Sequence, residues 1–309
     1  MNHVHIGMSG WRYAPWRGDF YPEGLTHKDE LKFASRAVGS IEINGSFYAL
    51  QTPDRYAHWY ADTPKGFIFS VKGPRFITHV KRLREVETPL SNFFASGVFQ
   101  LREKLGPILW QFPPSFKFDP ALFEHFLSLL PHTCKAALAC AKGCDARMRK
   151  PGYLDLGKAR GTLRHAVEIR HESFAVPEFI ALLRRYKVAL VMADTAGKWP
   201  YAEDLTADFI YMRLHGDAEL YASGYTPKAL KHWQARIECW QQGGQPEDAV
   251  LIERKTPRKR AGREVYCYFD NDLKVRAPYD ARQLIDALGV EDTLTERPGE
   301  GPTGVSDFV

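Results

Sequence analysis

Residues 165–215 read HAVEIRHESFAVPEFIALLRRYKVALVMADTAGKWPYAEDLTADFIYMRLH. Three short runs rich in β-branched and apolar residues, HAVEIR from His165, VALVMAD from Val188 and FIYMRLH from Phe209, have strand character. Pro177–Lys187, between the first two, carries helical spacing instead. Working outward, five more such runs begin near His3 (HVHIGMS), Ser40 (SIEIN), Phe67 (FIFSVK), Gly106 (GPILWQF) and Glu264 (EVYCYFDN). Helical spacing recurs over Lys28–Val38, Asp54–Asp62, Leu90–Lys104, Pro120–Leu130, Leu230–Gln242 and Tyr279–Leu288, with a short helix expected near Glu203. Asp119 before Pro120 reads as an N-cap, and Gly289 as a C-terminal stop. Strict alternation of strand and helix predicts a closed parallel (β/α)8 barrel of the TIM type. No dinucleotide fingerprint follows the first run to favour an open doubly wound sheet.

The 309 residues suit one such barrel over residues 1–290, with 291–309, rich in charge, proline and glycine, expected as a disordered tail. Hydrophobic residues make up 44% and charged residues 26%, which excludes global disorder. The excess of 42 basic over 37 acidic residues, +5, permits anionic partners but is far from a nucleic-acid coat. Five cysteines at irregular spacing argue for reduced thiols and a cytoplasmic home. No run approaches a membrane span, and the N-terminus lacks the layout of a signal peptide.

A barrel gathers its chemistry at the C-terminal ends of the strands. Those ends carry Ser9, Asn44, Lys72, Gln111, Arg170, Asp194, His215 and Asn271, one polar side chain each. On three strands the alternation of side chains supports a polar inner face: Glu42 with Asn44, Glu168 with Arg170, and Tyr211 with Arg213 and His215. The competing interpretation is a buried salt-bridge network that sets register, with Glu168 and Arg213 as one pair. Burying so many charged groups costs several kcal/mol per ion unless they are paired, and such a concentration suits a functional task.

The segments GMSGWRYAPWRGDFYP, IEINGSFY, VKGPRFITH, LGPILWQFPPSF, AVEIRHESF, the isolated Asp194, YMRLHG and YFDN resemble, in order, the YecE-like family called domain of unknown function 72. The resemblance runs from about His3 to Leu288. It implies a TIM-type barrel with a polar pocket lined by Trp11, Glu42, Asn44, Lys72, Gln111, Glu168, Arg170, Asp194, Arg213, His215 and Asn271, and supplies no reaction. The long connection before the fifth strand and the basic one before the eighth depart from the shorter members.

Lys72, Arg170 and Arg213, converging from three strands, form a cationic set that suits a phosphate or carboxylate. Glu42, Glu168, Asp194 and His215 are the catalytic candidates, either as general acid and base or as ligands of a weakly held divalent metal. Trp11, Asn44, Lys72, Gln111, Arg170, Arg213 and Asn271 are the substrate-binding candidates. Around the mouth, Trp11, Arg12, Tyr13, Trp16, Arg17, Phe20 and Tyr21 follow the first strand, and Arg75, His79, Lys81, Arg82 and Arg84 the third. Aromatic planes beside cations suit base stacking, although the tryptophans equally serve as a plug for the barrel end. Tyr221 and Tyr225 lie in a loop that could close over a ligand.

Other features carry less. His132, Cys134, Cys140 and Cys144 fall within zinc-site range but lack paired C-x-x-C spacing, and His3 and His5 stand at the wrong end of their strand. The basic connections Arg147–Arg164 and Arg254–Arg263 belong to the opposite rim. The sequence thus points to a barrel that binds an anionic, phosphate-bearing small molecule and acts as a hydrolase, lyase or isomerase. The alternative from another class is a nucleic-acid binding or repair protein, with a ligand sensor as a third.

Overall fold

The computed structural model describes residues 4–148, 161–254, 260–271, 274–290 and 294–299. The strands are β1 (Val4–Ser9), β2 (Ser40–Ile43), β3 (Ile68–Lys72), β4 (Leu105–Gln111), β5 (His165–Glu168), β6 (Ala189–Asp194), β7 (Phe209–Leu214) and β8 (Glu264–Phe269). They pair in parallel in chain order, and β1 pairs with β8 to close the sheet. Around them lie α1 (Glu30–Ala37), α2 (Gly45–Tyr48), α3 (Pro53–Asp62), α4 (Glu87–Ala95), α5 (Pro120–Leu129), α6 (Cys134–Ala141), α7 (Pro177–Tyr186), α8 (Pro227–Gln241) and α9 (Ala277–Leu288). The fold is the (β/α)8 barrel expected from the alternation.

Parity explains the layers. Ile41, Ile43, Val167, Ile210, Met212 and Leu214 face outward and are buried under the helices, each contributing about 1.5–3 kcal/mol of burial. The inner face is different. It is filled low in the barrel by small and aromatic residues, among them Ala166, Ala189, Phe209, Tyr211, Tyr266 and Tyr268, whose upper neighbours are the charged strand ends. Asp119 caps α5 as read, its carboxylate accepting the Leu122 N–H at 3.1 Å.

Two expected helices differ. The segment Leu90–Lys104 is broken at Gly97, whose φ of 95° is open to glycine at little cost, so α4 stops and a 3₁₀ turn, Val98–Lys104, follows. Near Glu203 there is no helix. Glu203 accepts the N–H of Val250 at 2.8 Å, and Asp204 those of Ile252 and Glu253 at 2.7 and 3.0 Å. The two carboxylates thus tie this connection to a neighbouring one instead of capping a turn.

Within the stretch read as a disordered tail, residues 294–299 are anchored: Thr295 and Glu296 donate backbone N–H bonds to the Arg36 carbonyl, and Gly299 to that of Phe20. His3 and most of the connection Arg147–Arg164 lie outside the described residues, as does the centre of Arg254–Arg263. Among the described residues no helix is long and apolar enough to cross a membrane.

Candidate active site at the barrel mouth

The inner face of β7 builds the centre of the site. Arg213 is fully buried and spends its guanidinium on the protein itself. Its Nε and Nη2 grip Glu42 at 3.1 and 3.0 Å, Nη1 reaches Glu168 at 2.8 Å, and Nη2 also reaches Asp270 at 2.9 Å and Ser9 Oγ at 3.0 Å. Ser9 donates to Glu42 at 2.6 Å, and so does the Tyr211 hydroxyl at 2.7 Å. Gln111 Nε2 and Arg170 Nε donate to Glu168 at 2.9 and 2.7 Å. Although burial pushes the Glu168 carboxyl up, Arg170, Arg213, His215 and Lys72 together hold it well below the usual carboxylate range. Asp270 is lowered in the same way, against its burial, by Arg213, His215 and Lys72. Glu168 is therefore a counter-charge of Arg213, as the salt-bridge interpretation has it, Glu42 and Asp270 are two more, and Arg213 has its donors committed.

Lys72 stands apart from that network. It ends β3 with its side chain on the inner face and is only 7% exposed. Among the described residues no carboxylate forms an ion pair with its Nζ and no acceptor takes a hydrogen bond from it; the ammonium lies 4.4 Å from the centre of the Phe47 ring. Burial first, then the Arg213 charge, pulls its pKa down from 10.5 to about 8, against the pull of Glu42, Asp270 and Glu168. Local geometry fixes it: the Ser46 hydroxyl donates to the Lys72 carbonyl at 2.6 Å, and Gly73, where a Cβ would meet the Trp110 ring at 2.4 Å, lets the chain turn away.

Lys72, Arg75 and Arg170 all act on His79. Arg170 stacks on Trp199, its Cζ 3.8 Å from the ring centre, and its terminal nitrogens make no hydrogen bond among the described residues. Arg75 is exposed. Half-buried His79 packs edge-on against Phe47 at 5.1 Å, and its pKa falls to about 4 through burial and then Lys72, Arg75 and Arg170. His215 is fully buried, with Nδ1 3.0 Å from Asp270 Oδ2. Tyr221 and Trp199 cover it, their ring centres 5.2 and 6.4 Å from its own.

The structure thus brings Glu42, Lys72, Gln111, Glu168, Arg170, Arg213 and His215 together, and it places the other four expected residues, Asp194, Asn271, Trp11 and Asn44, around them or elsewhere. Asp194 shares the outward face of β6 with Leu190 and Met192 and accepts the Tyr225 hydroxyl at 2.9 Å. It borders a separate cleft of about 690 Å³ with Trp199, Tyr201, His232 and Trp233. Asn271 donates to Asp280 and to the Ser223 carbonyl at 2.7 and 2.9 Å, holding a loop. Trp11 and Asn44 line a neighbouring cavity of about 500 Å³. Asp270 and Trp199 were missed. Asp270 follows Tyr266 and Tyr268 at strand parity, a signal present in the sequence.

The expected metal set does not assemble: among the described residues no three His, Cys, Asp or Glu side chains lie where they could share an ion, and this holds for the His132 and Cys134 group as well. Of the aromatic residues after β1, Trp11 and Tyr13 line the neighbouring cavity, and three others are withdrawn into the core. Trp16, Phe20 and Tyr21 are at most 1% exposed and pack with Phe33. They belong to the core shared with α1.

Comparison with known proteins agrees with this architecture. A DUF72 family protein of Thermotoga maritima superposes with a TM-score of 0.66 at 24% identity, covering 93% of this chain and 99% of that one. One from Enterococcus faecalis gives 0.63 at 15% identity, covering 94% and 98%. In sequence the chain is similar to UPF0759 protein YecE of Escherichia coli, 29% identical over 54% of this chain and 56% of that protein. It is 31% identical to UPF0759 protein YunF of Bacillus subtilis over 37% of this chain and 41% of that protein. The chain thus matches about half the length of these curated relatives. The family model described as "Protein of unknown function DUF72" matches residues 5–303, and the chain belongs to that family.

Proposed function

We propose that the mouth of the barrel is an active site for a small anionic molecule bearing a phosphate or carboxylate, on which the protein acts by proton transfer as a lyase or isomerase. The observation that carries this reading is the division of labour among the cations. Arg213 is neutralised by Glu42, Glu168 and Asp270, whereas among the described residues Lys72 has no counter-ion at contact distance and the terminal nitrogens of Arg170, stacked on Trp199, take no hydrogen-bond partner. A buried cation without a partner is costly, and an anion that supplied the partner would bind with the gain that the protein has forgone. Arg75 and Arg170 would hold the anionic group, planar donors suited to two oxygens at once. Lys72 would act on the remainder of the molecule, with a pKa lowered to about 8.

Inorganic phosphate tests this. Titrated calorimetrically, it should bind the native protein and compete with phosphate monoesters, and Arg170→Met should weaken it by about tenfold or more, the worth of one charge-assisted hydrogen bond. Absence of phosphate binding, or unchanged affinity in a folded Arg170→Met protein, would contradict the reading.

A further inference from the structure

We infer that Lys72 is a covalent residue: its amine condenses with a carbonyl carbon of the bound anion to form an imine. This rests on the mouth being an anion site, and it adds the substrate class, a small aldehyde or ketone carrying a phosphate or carboxylate.

The geometry is that of a nucleophile held ready. Glu42 and Glu168 are engaged by Arg213, Tyr211, Gln111 and Arg170, so neither is an ion-pair partner that would keep the lysine protonated. Phe47 covers one side of the ammonium with an apolar face. The Ser46 bond to the Lys72 carbonyl and the close approach of Gly73 to Trp110 hold the backbone from which the side chain projects. Desolvation without a carboxylate partner is the usual way in which a protein frees a lysine amine for reaction with a carbonyl.

The step balances without any oxidant or second reagent. The Nζ lone pair attacks the carbonyl carbon and the C–N bond forms; the carbonyl oxygen leaves as water, carrying the two hydrogens of the neutral amine. One proton returned from the mouth to the imine nitrogen gives the iminium. That cation draws electrons from the adjacent carbon and so eases loss of a proton or cleavage of a bond there, which is lyase or isomerase chemistry. Arg75 and Arg170 would hold the anionic end of the same molecule.

Borohydride trapping on the full-length protein is the test. Glyoxylate and glycolaldehyde phosphate, each with sodium cyanoborohydride at pH 8, are followed by peptide mass mapping. A lysine with a pKa of about 8 is free amine about a hundredfold more often at that pH than an ordinary one. The expected result is one adduct on Lys72, formed ahead of any other lysine, slowed by added inorganic phosphate and absent from Lys72→Met protein whose circular dichroism is native. Adducts spread over surface lysines with Lys72 unmodified, in a protein that still binds phosphate, would overturn the imine and leave the anion site standing. Rapid labelling of Lys72 that phosphate does not slow would support the imine and overturn the anion site.

Discussion

Arg213 shows how far a buried charge can be architecture. Its guanidinium joins β2, β5, β7 and the residue after β8 through Glu42, Glu168 and Asp270, so removing it takes from Glu42 its cationic partner and leaves Glu168 to Arg170 and Asp270 to His215. Breaking a buried pair by deleting one partner costs about 3–5 kcal/mol. Leu214→Ala on the outer face of the same strand, a core truncation, costs about 2–5 kcal/mol. Urea unfolding should therefore find Arg213→Met as damaged as Leu214→Ala. An Arg213→Met protein of native stability would mean that Glu42 does not depend on that partner. Arg170 should behave differently, because it lies at the edge of the network and shares Glu168 with Arg213 and Gln111. Its loss should be felt in phosphate binding more than in stability.

The strands were legible because one face was polar and the other aliphatic. On β7 the contrast between Tyr211, Arg213, His215 and Ile210, Met212, Leu214 is visible in the letters alone, and the structure places both sets as that contrast requires. Where the inner face is aromatic the contrast fades. On β8, EVYCYF, tyrosines point inward and Val265, Cys267 and Phe269 outward, so the polar contrast is weak there; parity reaches Asp270, but Asn271, one residue on, looks equivalent in the letters. Asp194 stands at a strand end, yet it follows Leu190 and Met192 at parity two and faces outward with them. Trp199 reaches Arg170 from the β6 to β7 connection, a contact between loops that no local periodicity encodes.

The loop from β7 to α8 shows the same dependence on distant partners. Tyr225 donates its hydroxyl to Asp194 and accepts the Gly216 N–H at 3.1 Å, while its own N–H goes to Asp280 at 3.1 Å. Tyr225→Phe removes both hydroxyl bonds, about 1–1.5 kcal/mol, and should raise amide exchange in residues 216–223 roughly tenfold with β7 unchanged. Exchange at the native rate would show that the loop over His215 is held by something else.

Across the whole molecule, the barrel puts the cost of its mouth on folding. Three carboxylates, Glu42, Glu168 and Asp270, face Arg213, Arg170 and Lys72, and of these cations Lys72 is the one that has no carboxylate at contact distance among the described residues. Its pKa in the folded chain, about 8, lies below the unfolded value of 10.5, so between these pH values the unfolded state binds the proton more strongly. Stability attributable to Lys72 must then rise as pH rises through that window, by about 3 kcal/mol in all. The measurement is the unfolding free energy of the native protein minus that of Lys72→Met, from urea curves between pH 7 and pH 10.5, a difference in which the titrations common to both proteins cancel. A lysine held unpaired in the mouth makes this difference climb steadily with pH. A difference that stays level across the window would mean that Lys72 titrates as an ordinary lysine, and would contradict its role as the free amine of the site.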